Sequence, residues 1–143
     1  MPDFKTLSDT VFASPQIGAD DIAAAKAAGV VTIINNRPDG EDPTAPQGAT
    51  IEALASAEGM AYVAIPIGPA GFGESDIDAM TEALDAADGP VLAYCRSGTR
   101  STLLWALSQA KQGGDPDTIA EAAKAAGYDV SPVRPMMDKL AAR

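Results

Sequence analysis

The sequence lacks histidine altogether and has one cysteine, Cys95, among its 143 residues. A lone cysteine cannot form a disulfide within the chain, and the usual zinc sites need several cysteine or histidine ligands. Without histidine, the chain also has no imidazole base for a Ser-His or Cys-His catalytic relay. We therefore expect no metal and no other cofactor, and any thiolate at Cys95 has to be generated by local electrostatics.

Basic residues and long apolar runs are also scarce. Lys and Arg together number 10 against 20 for Asp and Glu, which gives a formal net charge of −10 and a pI near 4.2. Nucleic-acid phosphates and anionic membrane surfaces repel such a chain, so we expect neither as a partner. No stretch approaches the roughly 20 apolar residues of a membrane helix, and acidic residues lie where a secretory signal would start with basic ones. These features predict a soluble, cytoplasmic protein and leave its oligomeric state open.

Strands and helices are predicted to alternate along the chain. Runs rich in β-branched residues favour strands, and alanine-rich stretches that end at glycine favour helices. The predicted strands span residues 11–14, 30–35, 62–67 and 91–94, with the first at a sheet edge, and the predicted helices span 20–28, 50–58, 75–87, 101–112, 116–126 and 135–142. Ser75 is predicted to cap the third helix with Asp78 as its capping-box partner. This order predicts one α/β domain over residues 1–143, with a central, mainly parallel sheet and helices on both faces.

The loop over residues 36–48 is crowded with proline and glycine and has no periodic pattern, which is typical of a functional loop. Ligands in α/β sheets bind beyond the carboxyl ends of the strands, and this loop and Cys95 both follow a predicted strand directly. Arg37 is therefore a candidate for binding an anion. The alternative, a surface arginine paired with Asp39 or Glu41, is equally well supported.

Cys95 opens a strand-to-helix loop with the sequence Cys95-Arg96-Ser97-Gly98-Thr99-Arg100-Ser101. A helix N-terminus and nearby cations both stabilise a thiolate, and this loop offers both. Gly98 lets successive backbone N–H groups converge on an anion, and Arg100 can present a planar guanidinium to two oxygens, whereas Arg96 is expected to face solvent. A lone cysteine without such a setting is usually a small buried apolar residue. We interpret Cys95 and Arg100 as catalytic, and the other loop residues as anion-binding, namely Arg96, Ser97, Gly98, Thr99 and Ser101, with Arg37 beside them.

The apolar strand followed by CRSGTRS resembles the active loop of single-domain rhodaneses, which are sulfurtransferases. The segments GVVTIINNRPDGE over residues 29–41 and YVAIPI over residues 62–67 are similar to the DUF442 family, the phosphatase-like domain of β-lactamase hydrolase-like proteins. This second resemblance covers residues 11–112. It implies the architecture of dual-specificity and tyrosine phosphatases and a catalytic cysteine.

Two chemistries compete for Cys95. Tyrosine and dual-specificity phosphatases have one residue more between cysteine and arginine, usually with histidine before the cysteine, whereas four residues separate Cys95 from Arg100 and Tyr94 comes before. A smaller ring of N–H donors suits a single transferable sulfur better than a tetrahedral phosphate. A phosphatase also needs a general acid to protonate the leaving group. The candidates for that acid are Asp39, Glu41 and Glu74.

We favour a rhodanese-like sulfurtransferase that carries sulfur as a persulfide on Cys95. Its substrate is expected to be a small anion such as thiosulfate or a persulfide, because sulfite and thiolates leave without an acid. One alternative is a phosphatase that hydrolyses phosphate esters through a cysteinyl-phosphate. Another is a non-catalytic module that binds an anion or a phosphate group. The presence of both Cys95 and Arg100 counts against that module, because binding needs no nucleophile.

Overall fold

The carboxyl ends of four parallel strands lie side by side in the computed structural model, which describes residues 3–142. The strands are β1 (Lys5–Thr6), β2 (Val11–Ser14), β3 (Thr32–Asn35), β4 (Ala61–Ala64) and β5 (Val91–Tyr94), and they form one sheet in the order β1-β2-β5-β3-β4. β1 is antiparallel to β2, and the other neighbours are parallel. Ser14, Tyr94 and Asn35 share one row of the register, so the segments that leave β2, β5 and β3 start at the same level.

Helices cover both faces of this sheet. They are α1 (Ala19–Ala27), α2 (Gly48–Ala57), α3 (Glu74–Ala86), α4 (Thr99–Lys111), α5 (Pro116–Ala125) and α6 (Arg134–Ala141), with a short 3-10 turn at Ser131–Val133. Successive strand residues point to opposite layers, as the pleat requires. Ile33 and Leu92 pack with α1 and α2, whereas Ile34 and Ala93 pack with the layer of α3 to α6. The predicted α/β domain with a mainly parallel sheet between two helical layers is confirmed.

β3 starts at Thr32 instead of residue 30, and two other strands also differ from their predictions. β2 does not form the sheet edge, because the two-residue strand β1 pairs with it. β4 ends at Ala64, before Pro66, instead of continuing to residue 67. The N–H groups of Ile65 and Ile67 still donate to the carbonyl oxygens of residues 35 and 36, so this segment stays attached to the sheet beyond the end of β4.

Helix starts differ as well, and α2 begins at Gly48 instead of residue 50. α3 begins at Glu74, and the N–H of Gly73 donates to Oδ2 of Asp76 at 2.9 Å, so the predicted capping by Ser75 with Asp78 is wrong. Asp78 instead forms an ion pair with Lys111 of α4. α4 starts before residue 101 because Gly98 adopts the left-handed region, with φ of 90°, and turns the chain into the helix. Within residues 3–142, no helix is long and apolar enough to cross a membrane.

Candidate active site

Cys95 leaves the end of β5 and lies under the first turn of α4. Its side chain is buried, with 1% of its surface exposed, and the N–H of Gly98 donates to Cys95 Sγ at 3.1 Å. The backbone N–H of Cys95 donates to the carbonyl oxygen of Ser14 at 3.3 Å, which fixes the nucleophile to β2. The structure therefore holds the sulfur against a backbone donor at the positive end of a 13-residue helix.

The outer part of the loop is polar and exposed. Ser97 Oγ and Thr99 Oγ1 share a hydrogen bond of 3.0 Å, and both side chains lie at the surface. The Arg96 side chain is also exposed, while its carbonyl oxygen accepts from the N–H of Gln16 at 3.2 Å. The loop is thus tied to the segment after β2 by its backbone and presents its hydroxyl groups to solvent.

Arg100 lies at the side of the cysteine loop, and its guanidinium is already occupied. Nη1 donates to the carbonyl oxygen of Ile67 at 2.8 Å, and two further hydrogen bonds from Nη1 and Nη2 reach the carboxylate of Glu41 at 2.8 and 2.7 Å. The hydrogen bond to Glu41 raises the pKa of Arg100, and the neighbouring charge of Cys95 adds to that rise. Glu41, from the loop over residues 36–48, therefore occupies the fork that was predicted to bind an anion.

Arg37 approaches the same carboxylate from the loop that follows β3. It is buried, with 9% of its surface exposed, and its Nε donates to Glu41 Oε1 at 2.9 Å while Nη1 donates to Gln16 Oε1 at 3.0 Å. Asp42 lies 3.8 Å from its Nη2. Hydrogen bonds from Arg100, and next from Arg37, lower the pKa of Glu41 to about 2. The pairing with Glu41 agrees with the alternative interpretation of this arginine, but Arg37 is buried and not at the surface, and its second carboxylate is Asp42 and not Asp39.

The other two carboxylates proposed as acids have other partners. Asp39 Oδ1 accepts from the N–H of Gly48 at 2.9 Å and so binds the start of α2. Glu74 forms an ion pair with Lys111, the last residue of α4. Because Cys95 is at the first turn of that helix, the two ends are about 18 Å apart at 1.5 Å per residue. The structure brings Glu41 to the loop and does not bring Glu74 there.

Ser101 is buried beneath the loop. Its hydroxyl donates to Asn36 Oδ1 at 2.7 Å, and Asn36 Nδ2 donates to the carbonyl oxygen of Ile65 at 2.9 Å. This chain of hydrogen bonds ties α4 to β3 and to the segment after β4. Asn36 was not among the predicted site residues, although a polar pair directly after a buried strand is a signal that could have identified it.

A second missed residue, Tyr128, follows α5. Its hydroxyl donates to the carbonyl oxygen of Ser97 at 3.0 Å. Burial raises the pKa of Tyr128, and the nearby Cys95 raises it further. No sequence motif marks this tyrosine, because only the packing of the C-terminal helices brings it to the loop. Among the described residues, no group of three or more Cys, Asp or Glu side chains is arranged to hold a metal ion.

Comparison with known proteins identifies the scaffold. The family described as beta-lactamase hydrolase-like protein, phosphatase-like domain, matches residues 3–112. The chain belongs to this family. A Beta-lactamase hydrolase-like protein of Agrobacterium fabrum is 36% identical over 122 residues, which cover 85% of this chain and 28% of that protein. The chain thus spans less than a third of the length of this curated relative.

Solved structures of other proteins share the fold. A candidate phosphatase from Neisseria meningitidis superposes with a TM-score of 0.86 at 31% identity, covering 98% of this chain and 99% of the other. Human DUSP28 superposes with a TM-score of 0.73 at 19% identity, covering 99% and 95%. The predicted family and the predicted phosphatase-like architecture are therefore confirmed.

Proposed function

We propose that this domain is a sulfurtransferase in which Cys95 carries a sulfane sulfur. In the first half-reaction the Cys95 thiolate attacks the outer sulfur of thiosulfate, the S–S bond of the donor breaks, and sulfite leaves with the bonding electron pair. In the second, cyanide or a thiolate attacks the outer sulfur of the persulfide, and the Cys95 thiolate is regenerated. Neither leaving group needs a proton, because sulfite and thiolates are stable anions.

The pairing of Glu41 is the observation that supports this proposal most. A general acid has to be protonated at the working pH, whereas the pKa of Glu41 is lowered to about 2 by Arg100 and Arg37. Asp39 is engaged at the start of α2, and Glu74 lies at the far end of α4. None of the three candidate carboxylates is thus arranged as a proton donor at the loop, which supports sulfur transfer.

The setting of Cys95 also suits a persulfide. The N–H of Gly98 points at Sγ, and the N-terminus of α4 adds positive potential where negative charge develops on the outer sulfur. Glu41 balances the charge of Arg100, so a phosphate dianion would have to displace a carboxylate from the guanidinium. Thiosulfate is also a dianion, but its sulfite part leaves in the first half-reaction, and the sulfur that stays on Cys95 has no oxygens for the guanidinium to bind.

Phosphate-ester hydrolysis is the second candidate, and the fold comparison favours it. The Neisseria meningitidis relative is described as a candidate phosphatase and covers nearly the whole chain. In this reaction Cys95 would attack phosphorus and form a cysteinyl-phosphate, and Arg100 would turn from Glu41 to the equatorial oxygens. Without a poised acid, aryl esters with good leaving groups would be the preferred substrates.

Intact-mass measurement on the purified chain tests the proposal. Incubation with thiosulfate is expected to add about 32 Da, the mass of one sulfur, and cyanide or dithiothreitol is expected to remove it. Cys95→Ser is the control and should gain no mass. Hydrolysis of an aryl phosphate is measured on the same preparation. Efficient hydrolysis without a persulfide would replace the proposal with the phosphatase, and sulfate binding without either reaction would replace it with a binding module.

A further inference from the structure

Tyr128 lies against the outer side of the cysteine loop. It belongs to the C-terminal part of the chain, beyond the residues 3–112 that match the family. A Cβ atom built on Gly98 would collide with the Tyr128 hydroxyl, so the phenol sits directly on this turn. Gly98, with φ of 90°, is the residue that allows such a close approach.

The contacts of Tyr128 and Cys95 meet on one peptide group. The carbonyl of Ser97 accepts from the Tyr128 hydroxyl at 3.0 Å, and the N–H of Gly98 donates to Cys95 Sγ at 3.1 Å. These two polar atoms belong to the same planar, trans peptide unit and point in opposite directions. A hydrogen bond that holds the carbonyl outward therefore holds the N–H inward, toward the sulfur. It also polarises the peptide and strengthens the N–H as a donor.

We propose that Tyr128 is a positioning residue for the nucleophile, whose hydroxyl fixes the Ser97–Gly98 peptide so that its N–H stabilises the Cys95 thiolate. This role rests on the part of the proposed function that sulfur transfer shares with phosphoryl transfer, the use of Cys95 as a nucleophile. The C-terminal helices thereby contribute to the chemistry of the loop as well as to the packing of α4.

The ionisable groups around Cys95 keep constant charges over a range of pH that is suitable for a test. Arg100 faces it from α4 with Glu41 behind, and Asp3 acts on Tyr128 from the N-terminal segment. The pKa of Glu41 is about 2, and the pKa values of Arg100 and Tyr128 are both raised. Arg100, Glu41 and Tyr128 therefore each keep one charge state between about pH 5 and pH 9. A change in thiol reactivity across that window reports the thiol itself.

The test is the rate of Cys95 alkylation by iodoacetamide as a function of pH. Tyr128→Phe keeps the aromatic ring and removes the hydrogen-bond donor. The variant should slow Cys95 alkylation about three- to tenfold near pH 6, which is the range expected for one lost hydrogen bond. The profile of alkylation rate against pH should also shift to higher pH. Tyr62→Phe is the matched control, because Tyr62 is also half-buried but its hydroxyl accepts from Asn35 instead of contacting the loop. The control should have the same alkylation rate and the same pH profile as the unmodified protein.

A second measurement separates positioning from loosened packing. The amide proton of Gly98 should resonate upfield in Tyr128→Phe, because its hydrogen bond to the sulfur weakens, while thermal unfolding shows that the variant stays folded. An unchanged pH profile, an unchanged Gly98 resonance or equal slowing in both tyrosine variants would overturn the assignment. Alkylation needs no sulfur donor, so a failure to form a persulfide would refute the proposed function and leave this test valid.

Discussion

Glu41 holds Arg100 through two parallel hydrogen bonds, from Nη1 to Oε2 at 2.8 Å and from Nη2 to Oε1 at 2.7 Å. Such a pair fixes the direction of the guanidinium and balances its charge. Arg37 also donates to this carboxylate, through Nε to Oε1. A doubly charged ligand at the loop therefore has to compete with Glu41 for Arg100.

This competition predicts the behaviour of Glu41→Gln. Removal of the carboxylate charge should tighten the inhibition of Cys95 alkylation by sulfate about tenfold, because the repulsion between two nearby anions is lost. Persulfide formation with thiosulfate should persist. Glu82→Gln, which neutralises an exposed carboxylate on α3, is the charge-matched control. A loss of aryl phosphate hydrolysis in Glu41→Gln alone, with unchanged sulfate binding, would instead identify Glu41 as an acid.

The pH dependence of stability should reveal the same carboxylate. Its pKa falls from 4.5 to about 2 on folding, so its pairing stabilises the native state fully above pH 4.5 and loses this contribution as the pH falls through 2. The difference in free energy of unfolding between the unmodified protein and Glu41→Gln should therefore be constant from pH 7 to about 5 and shrink below pH 4.5. Urea unfolding at several pH values measures this difference. If this difference in free energy of unfolding disappeared near neutral pH, the lowered pKa of Glu41 would be contradicted.

The two arginines of the loop should respond differently to substitution by lysine. Arg100→Lys keeps the charge but loses the planar fork, and should reduce sulfur transfer at least tenfold because Glu41 and the Ile67 carbonyl lose their shared partner. Arg96→Lys should retain most activity, since that side chain is exposed. Steady-state thiosulfate and cyanide kinetics compare them. Equal losses would mean that Arg96 also reaches the substrate.

Gly98→Ala should combine two penalties. A residue with a Cβ costs about 1–2 kcal/mol in the left-handed region, and at Gly98 the added atom also collides with Tyr128. Gly40→Ala is the matched control, because Gly40 has φ of 79° and open space around its Cβ position. Urea unfolding should show a larger loss of stability for Gly98→Ala than for Gly40→Ala, and part of the excess should disappear in the Tyr128→Phe background. Equal losses of stability in the two glycine variants would show that the Tyr128 side chain moves aside without a loss of stability.

The sequence predicts β5 and the start of the cysteine loop well because those features are local. An apolar run at residues 91–94 followed by a polar, glycine-containing loop fits few structures other than a buried strand and a turn, and β5 occupies the predicted residues. The pairing of Arg37 with Glu41 was also open to prediction, since the two residues are four positions apart.

The remainder of the site depends on contacts between distant segments. Glu41 and Arg100 are 59 residues apart in the chain, and Tyr128 and Ser97 are 31 apart, so no local spacing indicates either pair. The short strand β1 was missed for a related reason, because two residues carry too little pattern to be recognised before their partner is known. Asn36 and Ser101 likewise acquire their roles only when β3 and α4 meet.

The alternation of side chains along β5 determines the direction in which the Cys95 thiol points. Ala93 faces the layer of α3 to α6 and Tyr94 faces the layer of α1 and α2, so a register slip of one residue would exchange these faces and swing Cys95 away from Gly98. An insertion or deletion within β5 would therefore move the sulfur away from the Gly98 N–H even if the loop sequence were unchanged.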